Sequence, residues 1–187
     1  MVRWAVGALL VIVIGGLVVL FSPLASVLRP PSPSYHIDPG VPWKQVQNHV
    51  VTVSYPATWT VATDAAESSA PPDDPLRKSL VTHILSPGFA PDKGNEATPQ
   101  TGVSVTIYSG YEVFPAGNAL GLIATTNTVW LTNRATLQEY TYEGSYLVLT
   151  ATVNGVTYQM VMAAQDSGTL QYYRAAFLQI AAKVTAQ

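Results

Sequence analysis

The sequence predicts an α+β protein: a single N-terminal transmembrane helix followed by an antiparallel sheet flanked by helices. Three observations carry that expectation. The N-terminus holds a long uncharged apolar run, the last third carries an Asn-Gly hairpin between alternating apolar residues, and the chain closes on an apolar stripe at helical spacing. The expected organisation is an anchor at 1–28, a Pro-rich stalk at 29–45 and one extracytoplasmic α+β domain at 46–187.

Between Arg3 and Arg29 lie 25 consecutive residues without a charge, and Trp4 to Phe21 is almost wholly Ala, Val, Leu, Ile and Gly. At about 1.5 Å rise per residue such a run comes close to crossing a hydrocarbon core of about 30 Å. An extended signal peptide is the alternative. The best cleavage position, after Ala25, puts Pro23 where a small residue is wanted, and the run exceeds a usual signal core, so a retained anchor is preferred. Arg3 and the α-amino group before the span give a cytoplasmic N-terminus, and Trp4 suits the inner interface. Gly15 and Gly16 are adjacent rather than four apart, so there is no strong signal for a homodimer through the span.

Arg29 to Gly40 contains four prolines in twelve residues. Proline favours extended backbone, which suits a semi-rigid stalk; an irregular strap packed on the domain is the alternative. Val50 to Tyr55, Leu80 to Leu85 and Val103 to Tyr108 read as strands, separated by long polar stretches at 62–79 and 86–101. Phe114 to Thr125 reads as a short helix, with Pro115 at its first position and Ala119, Leu120, Leu122 and Ile123 along it.

Asn154-Gly155 is a two-residue hairpin signal, because a type I′ turn needs positive φ at both central positions. That loop pairs Val153 with Val156, Ala151 with Tyr158, Leu149 with Met160 and Leu147 with Met162. Thr150, Thr152, Thr157 and Gln159 then share the other face. Glu143-Gly144 suggests a second turn, which would set Tyr140 beside Leu147. A helix over about Thr169 to Val184 carries Leu170, Tyr173, Phe177, Ile180 and Val184 on one stripe, to be buried against the apolar face of that meander.

Two segments resemble the PsbP-like domains, named after an extrinsic photosystem subunit. VTVSYPATWTV (Val51 to Val61) is similar to their opening strand, Tyr-Pro turn and Trp, and YYRAAFLQIAAKV (Tyr172 to Val184) to their C-terminal helix with its buried Phe. The resemblance covers Val50 to Val184. It implies an α-β-α sandwich and a non-enzymatic task, docking on or helping to assemble membrane complexes. The N-terminal anchor departs from the family's soluble or lipidated members, and no ion-binding residues carry over.

Composition narrows the chemistry. From Lys44 onward seven Lys/Arg stand against ten Asp/Glu, a net of −3, which gives no electrostatic footprint for nucleic acid. The absence of cysteine excludes lipidation at a lipobox, thiol redox chemistry and cysteine-held clusters. The only histidines are His36 in the stalk, His49 and His83, none beside an evident nucleophile, and His49 and His83 read as ordinary structural histidines. The acids Asp64, Glu67, Asp73, Asp74, Asp92 and Glu96 match no cation-binding loop and read as solvated charge; Asp38 before Pro39-Gly40 reads as a turn former. No cofactor, catalytic residue or metal ligand is expected.

Tyrosine is the remaining feature. Tyr108, Tyr111, Tyr140, Tyr142, Tyr146, Tyr172 and Tyr173 exceed what a core needs, and Tyr is favoured at interfaces because it buries area and keeps a polar handle. Tyr108, Tyr111, Tyr142 and Tyr146 are the candidate partner-binding residues, the alternative being that they cap core edges. The expected function is therefore a non-catalytic single-pass accessory subunit, partnered by the lipid bilayer and by other membrane-protein subunits of a respiratory or photosynthetic complex. A membrane-anchored module for a small ligand or ion is the alternative, and a hydrolase using His49 or His83 a third.

Overall fold

The computed structural model describes residues 33–47, 50–62, 80–91, 99–114 and 121–187. Ser34–Gln187 form one compact unit. Its described strands are β1 (Trp43–Gln47), β2 (Val51–Pro56), β3 (Thr60–Ala62), β4 (Leu80–Leu85), β5 (Ala90–Pro91), β6 (Pro99–Thr101), β7 (Val103–Ser109), β8 (Leu122–Trp130), β9 (Asn133–Thr141), β10 (Ser145–Val153), β11 (Val156–Ala164) and β12 (Val184–Ala186), and among the described residues one helix, α1 (Ser167–Ala181), precedes the last. A seven-stranded antiparallel sheet runs β3-β4-β7-β11-β10-β9-β8, a three-stranded sheet runs β1-β2-β12, and β5 pairs with β6.

The β10–β11 register is the one expected from the turn. Val153 faces Val156, Ala151 faces Tyr158, Leu149 faces Met160 and Leu147 faces Met162. Asn154 and Gly155 both take positive φ, 50° and 81°. Alternation then sends Leu147, Leu149, Met160 and Met162 to the inner face, where they are at most 3% exposed. There they meet Leu170, Phe177 and Ile180 of α1 together with Val51, Val53 and Trp59. Asp166 caps the helix, its Oδ1 accepting from the Thr169 N–H at 2.8 Å. Trp130 reaches the helix's other end, its indole N–H donating to the Ala181 carbonyl at 3.0 Å.

Four expectations are corrected. The architecture is not an α-β-α sandwich: the described residues are mostly antiparallel strand, and α1 and the small sheet lie against one face of the large sheet. The physical reason is the side-chain pattern, since one wide stripe on one helix meets one fully apolar sheet face, and among the described residues no second helix covers the other.

The helix expected over Phe114 to Thr125 is overturned where it is described, because Leu122 to Thr125 belong to β8. Gly121 turns the chain there at φ 70°, with the Thr141 carbonyl 2.5 Å from where a Cβ would stand. Beyond it a run rich in β-branched Thr, Ile and Val favours the pleated strand. Residues 115–120 lie outside the described residues.

The β9–β10 turn holds three residues, not two. Ser145 faces Thr141 and Tyr146 faces Tyr140, so Tyr140 does not sit beside Leu147. Because strand side chains alternate, this one-residue shift moves Tyr140 to the opposite face. The C-terminal helix stops at Ala181, and Val184 opens β12, paired with Val53.

The transmembrane helix expected at 1–28 lies outside the described residues, and among those no helix is long and apolar enough to cross a membrane. His49 and all six loop acids (Asp64, Glu67, Asp73, Asp74, Asp92 and Glu96) also lie outside the described residues. Of the stretch read as stalk or strap, Ser34 to Val41 runs along α1. The Tyr35 N–H donates to the Tyr172 carbonyl at 2.7 Å, the Ile37 N–H to Gln179 Oε1 at 2.9 Å, and Ile37 is buried.

Candidate functional site

The other face of the large sheet carries a second, smaller apolar cluster. Alternation in β7, β9, β10 and β11 sends Tyr108, Tyr140, Tyr146, Val148 and Val161 outward, and Phe114 closes over them. The Phe114 ring centroid lies 5.0 Å from that of Tyr140 and 5.3 Å from that of Tyr146, both tilted. Such spacing suits attractive aromatic contacts.

Gln159 holds Phe114 there. Its Oε1 accepts from the Phe114 N–H at 3.1 Å, while its Nε2 donates to the Phe114 carbonyl at 2.8 Å and to Thr150 Oγ1 at 3.0 Å. The side chain is fully buried, so an amide placed among apolar strands is matched by three hydrogen bonds. The segment after β7 is thereby stitched flat against the sheet.

The four candidate tyrosines divide into two pairs. Tyr108 and Tyr146 are half-buried members of the cluster, whereas Tyr111 and Tyr142 stand 40% and 51% exposed. Tyr142 sits in the β9–β10 turn and Tyr111 between β7 and Phe114. Leu122, opposite Tyr140 on β8, is another exposed apolar residue of this region. Burial pushes the Tyr108 phenol up, against a hydrogen bond with Thr106, and burial likewise raises Tyr140. The Tyr140 hydroxyl is buried without a hydrogen-bond partner. Phenols raised this way stay protonated at neutral pH, so they offer contact area and hydrogen bonding rather than a proton-accepting base.

Phe114, Tyr140 and Gln159 were not among the candidates. Gln159 carried a sequence signal, being the one amide in a strand that is otherwise apolar beyond Thr157. Tyr140 was hidden by the turn length that decides its face.

Elsewhere, an open groove of about 500 Å³ is lined by Ile37, Asp38, Pro39, Trp43, Gln179, Ala182 and Lys183. Lys183 Nζ stands 4.7 Å over the Trp43 ring, and Asp38 accepts the Gly40 N–H in its own turn. His83 is half-buried on β4 opposite Thr106, and the exposed His36 lies 2.9 Å from Ser34 Oγ. Among the described residues no group of three or more His, Cys, Asp or Glu could hold a metal ion.

No family model matches the chain, and no curated protein matches it. Among solved structures it is similar to the solution structure of cyanobacterial PsbP (CyanoP) from Synechocystis sp. PCC 6803. The two are 10% identical, the match covers 84% of this chain and 100% of that one, and the TM-score is 0.45. A likeness of that size carries no weight for function, which rests here on the chain's own residues.

Proposed function

We propose that the chain is a non-catalytic accessory protein, held at a membrane by its uncharged N-terminal segment, whose extracytoplasmic domain docks on another membrane-protein subunit. The observation that supports this reading is the outer sheet face: an aromatic cluster pinned by Gln159, with Tyr111 and Tyr142 standing exposed and Leu122 nearby. Exposed aromatic side chains around an ordered apolar centre are the composition that protein interfaces favour. A partner would contact Tyr111 and Tyr142 first and cover Tyr108 and Tyr146 at their edges. A host complex of respiratory or photosynthetic electron transfer is the narrower form of the proposal.

The test is extraction of the tagged full chain in mild detergent, native electrophoresis and identification of companions. A companion retained by the wild type and lost from a Tyr111→Ser/Tyr142→Ser double variant is the expected result. A chain that migrates without any companion sinks the proposal. The groove beside Trp43 and Lys183 favours a second reading, a small-ligand module; its mark would be a raised melting temperature with an aromatic carboxylate, abolished by Lys183→Ala.

A further inference from the structure

We infer that β8 is a pairing edge through which two copies of this chain join their seven-stranded sheets, antiparallel, about a two-fold axis through Thr126. β8 ends the large sheet, with β9 on one side and no strand on the other among the described residues. Alternate residues of such a strand turn their N–H and C=O groups away from the sheet, where they need partners. All of Leu122 to Val129 are exposed, Ile123 at 59% and Val129 at 70%.

Edges of this kind are usually blunted by charge, by proline or by brevity. β8 has nine residues with no charge and no proline, interrupted by one irregularity between Leu122 and Ala124. The sheet's opposite edge, β3, has three residues, and β1 carries Lys44. Among the described residues β8 is therefore the long unprotected edge, and a single such edge closes into a pair instead of propagating.

The strand is complementary to itself. With Thr126 on the axis, Thr125 faces the second copy's Asn127, Ala124 faces Thr128, and exposed Ile123 faces exposed Val129 at both ends. No like charges meet, and β-branched and Thr–Thr pairs are favourable across strands. Side chains keep their faces across such a junction, so the two aromatic outer faces lie side by side on one continuous sheet. A second copy is the occupant that this pattern fits, because every position finds a neutral partner without any foreign sequence. The inference does not depend on the docking proposal above: dimerisation is read on the purified chain, docking on its companions.

The chain has no cysteine, so single cysteines report the register directly. Full-length Thr126→Cys, purified in detergent and mildly oxidised, should form disulfide-linked dimers several-fold more readily than Thr152→Cys on the exposed β10 tip. Ala124→Cys and Thr128→Cys should each cross-link poorly alone and well when mixed. Thr126→Lys, which sets two ammonium groups on the axis, should halve the protein mass measured by light scattering while leaving the circular-dichroism spectrum of the folded chain unchanged. A wild-type chain that is monomeric at every concentration overturns the inference. So does cross-linking at Thr126 no better than at Thr152, or a Thr126→Lys chain that stays dimeric.

Discussion

The two faces of the seven-stranded sheet share their strands and differ in everything that covers them. The inner face is closed by α1 and the small sheet, with Trp59, Phe177, Met160 and Met162 at most 1% exposed. The outer face carries three buried apolar residues in its cluster, Tyr140, Val148 and Val161, and is covered in part by a loop pinned through one glutamine. Each face buries an unpartnered polar atom, the Trp59 indole N–H on the inner face and the Tyr140 hydroxyl on the outer. Among the described residues, the larger apolar cluster lies on the side where whole elements pack.

The largest effect should come from breaking the inner face. Phe177→Ala removes a fully buried ring from α1 and should cost about 3–5 kcal/mol by urea titration. A loss under about 1 kcal/mol would mean that the helix does not hold the fold. On the outer face, Gln159→Met keeps the volume but strands the Phe114 N–H and carbonyl. It should cost about 1–3 kcal/mol and expose the Phe114 amide to hydrogen exchange. If that amide stays protected, the loop is held by something other than Gln159.

The β8–β9 turn closes the hairpin at the sheet edge and stores strain. Leu131 and Thr132 both adopt left-handed backbone, at φ 51° and 63°, without being glycine. Thr132→Gly relieves about 1–2 kcal/mol of steric cost and adds chain entropy to the unfolded state, for a net stabilisation of about 0.5–1 kcal/mol. A destabilised variant would show that the Thr132 side chain itself supports the turn.

Asp166 titrates on the inner-face side. Its carboxyl is held below the ordinary carboxylate range, first by the Thr169 N–H and also by the Thr169 hydroxyl and the Gly168 N–H. A depressed folded-state value contributes stability that is present above the unfolded value and lost as pH falls through the folded one. The wild type should therefore lose a small increment below the ordinary carboxylate range, whereas Asp166→Asn, which still caps, should show a flatter acid limb. Equal acid limbs would assign the effect to other carboxylates. The smallest change should follow Tyr142→Ser, within about 0.5 kcal/mol of wild type by thermal melt. A larger loss would make Tyr142 a structural residue and remove it from the docking face.

Legibility followed the range of the interaction. The β10–β11 pairing could be read because Asn154-Gly155 specifies a turn and alternation then assigns every side chain. The inner face followed from it, as did the burial of Leu170, Phe177 and Ile180. Tyr108, Tyr111, Tyr142 and Tyr146 could be named from composition, but not divided into a half-buried pair and an exposed pair. That division depends on Phe114 and Gln159, which lie 45 residues apart in the chain.

What the sequence determined by itself is the set of features whose physics is local: a turn dictated by backbone preference, a strand register dictated by period two, and a helical stripe dictated by period 3.6. Tertiary structure decided the rest. Leu122 to Trp130 became a strand because β9 offered a nine-residue partner and Gly121 a way to turn into it. Tyr140 crossed to the outer face because one extra turn residue reverses the alternation. The small sheet joins a local hairpin, β1 with β2, to Val184–Ala186, which lies at the other end of the domain and could pair with β2 only after the core had brought the two together.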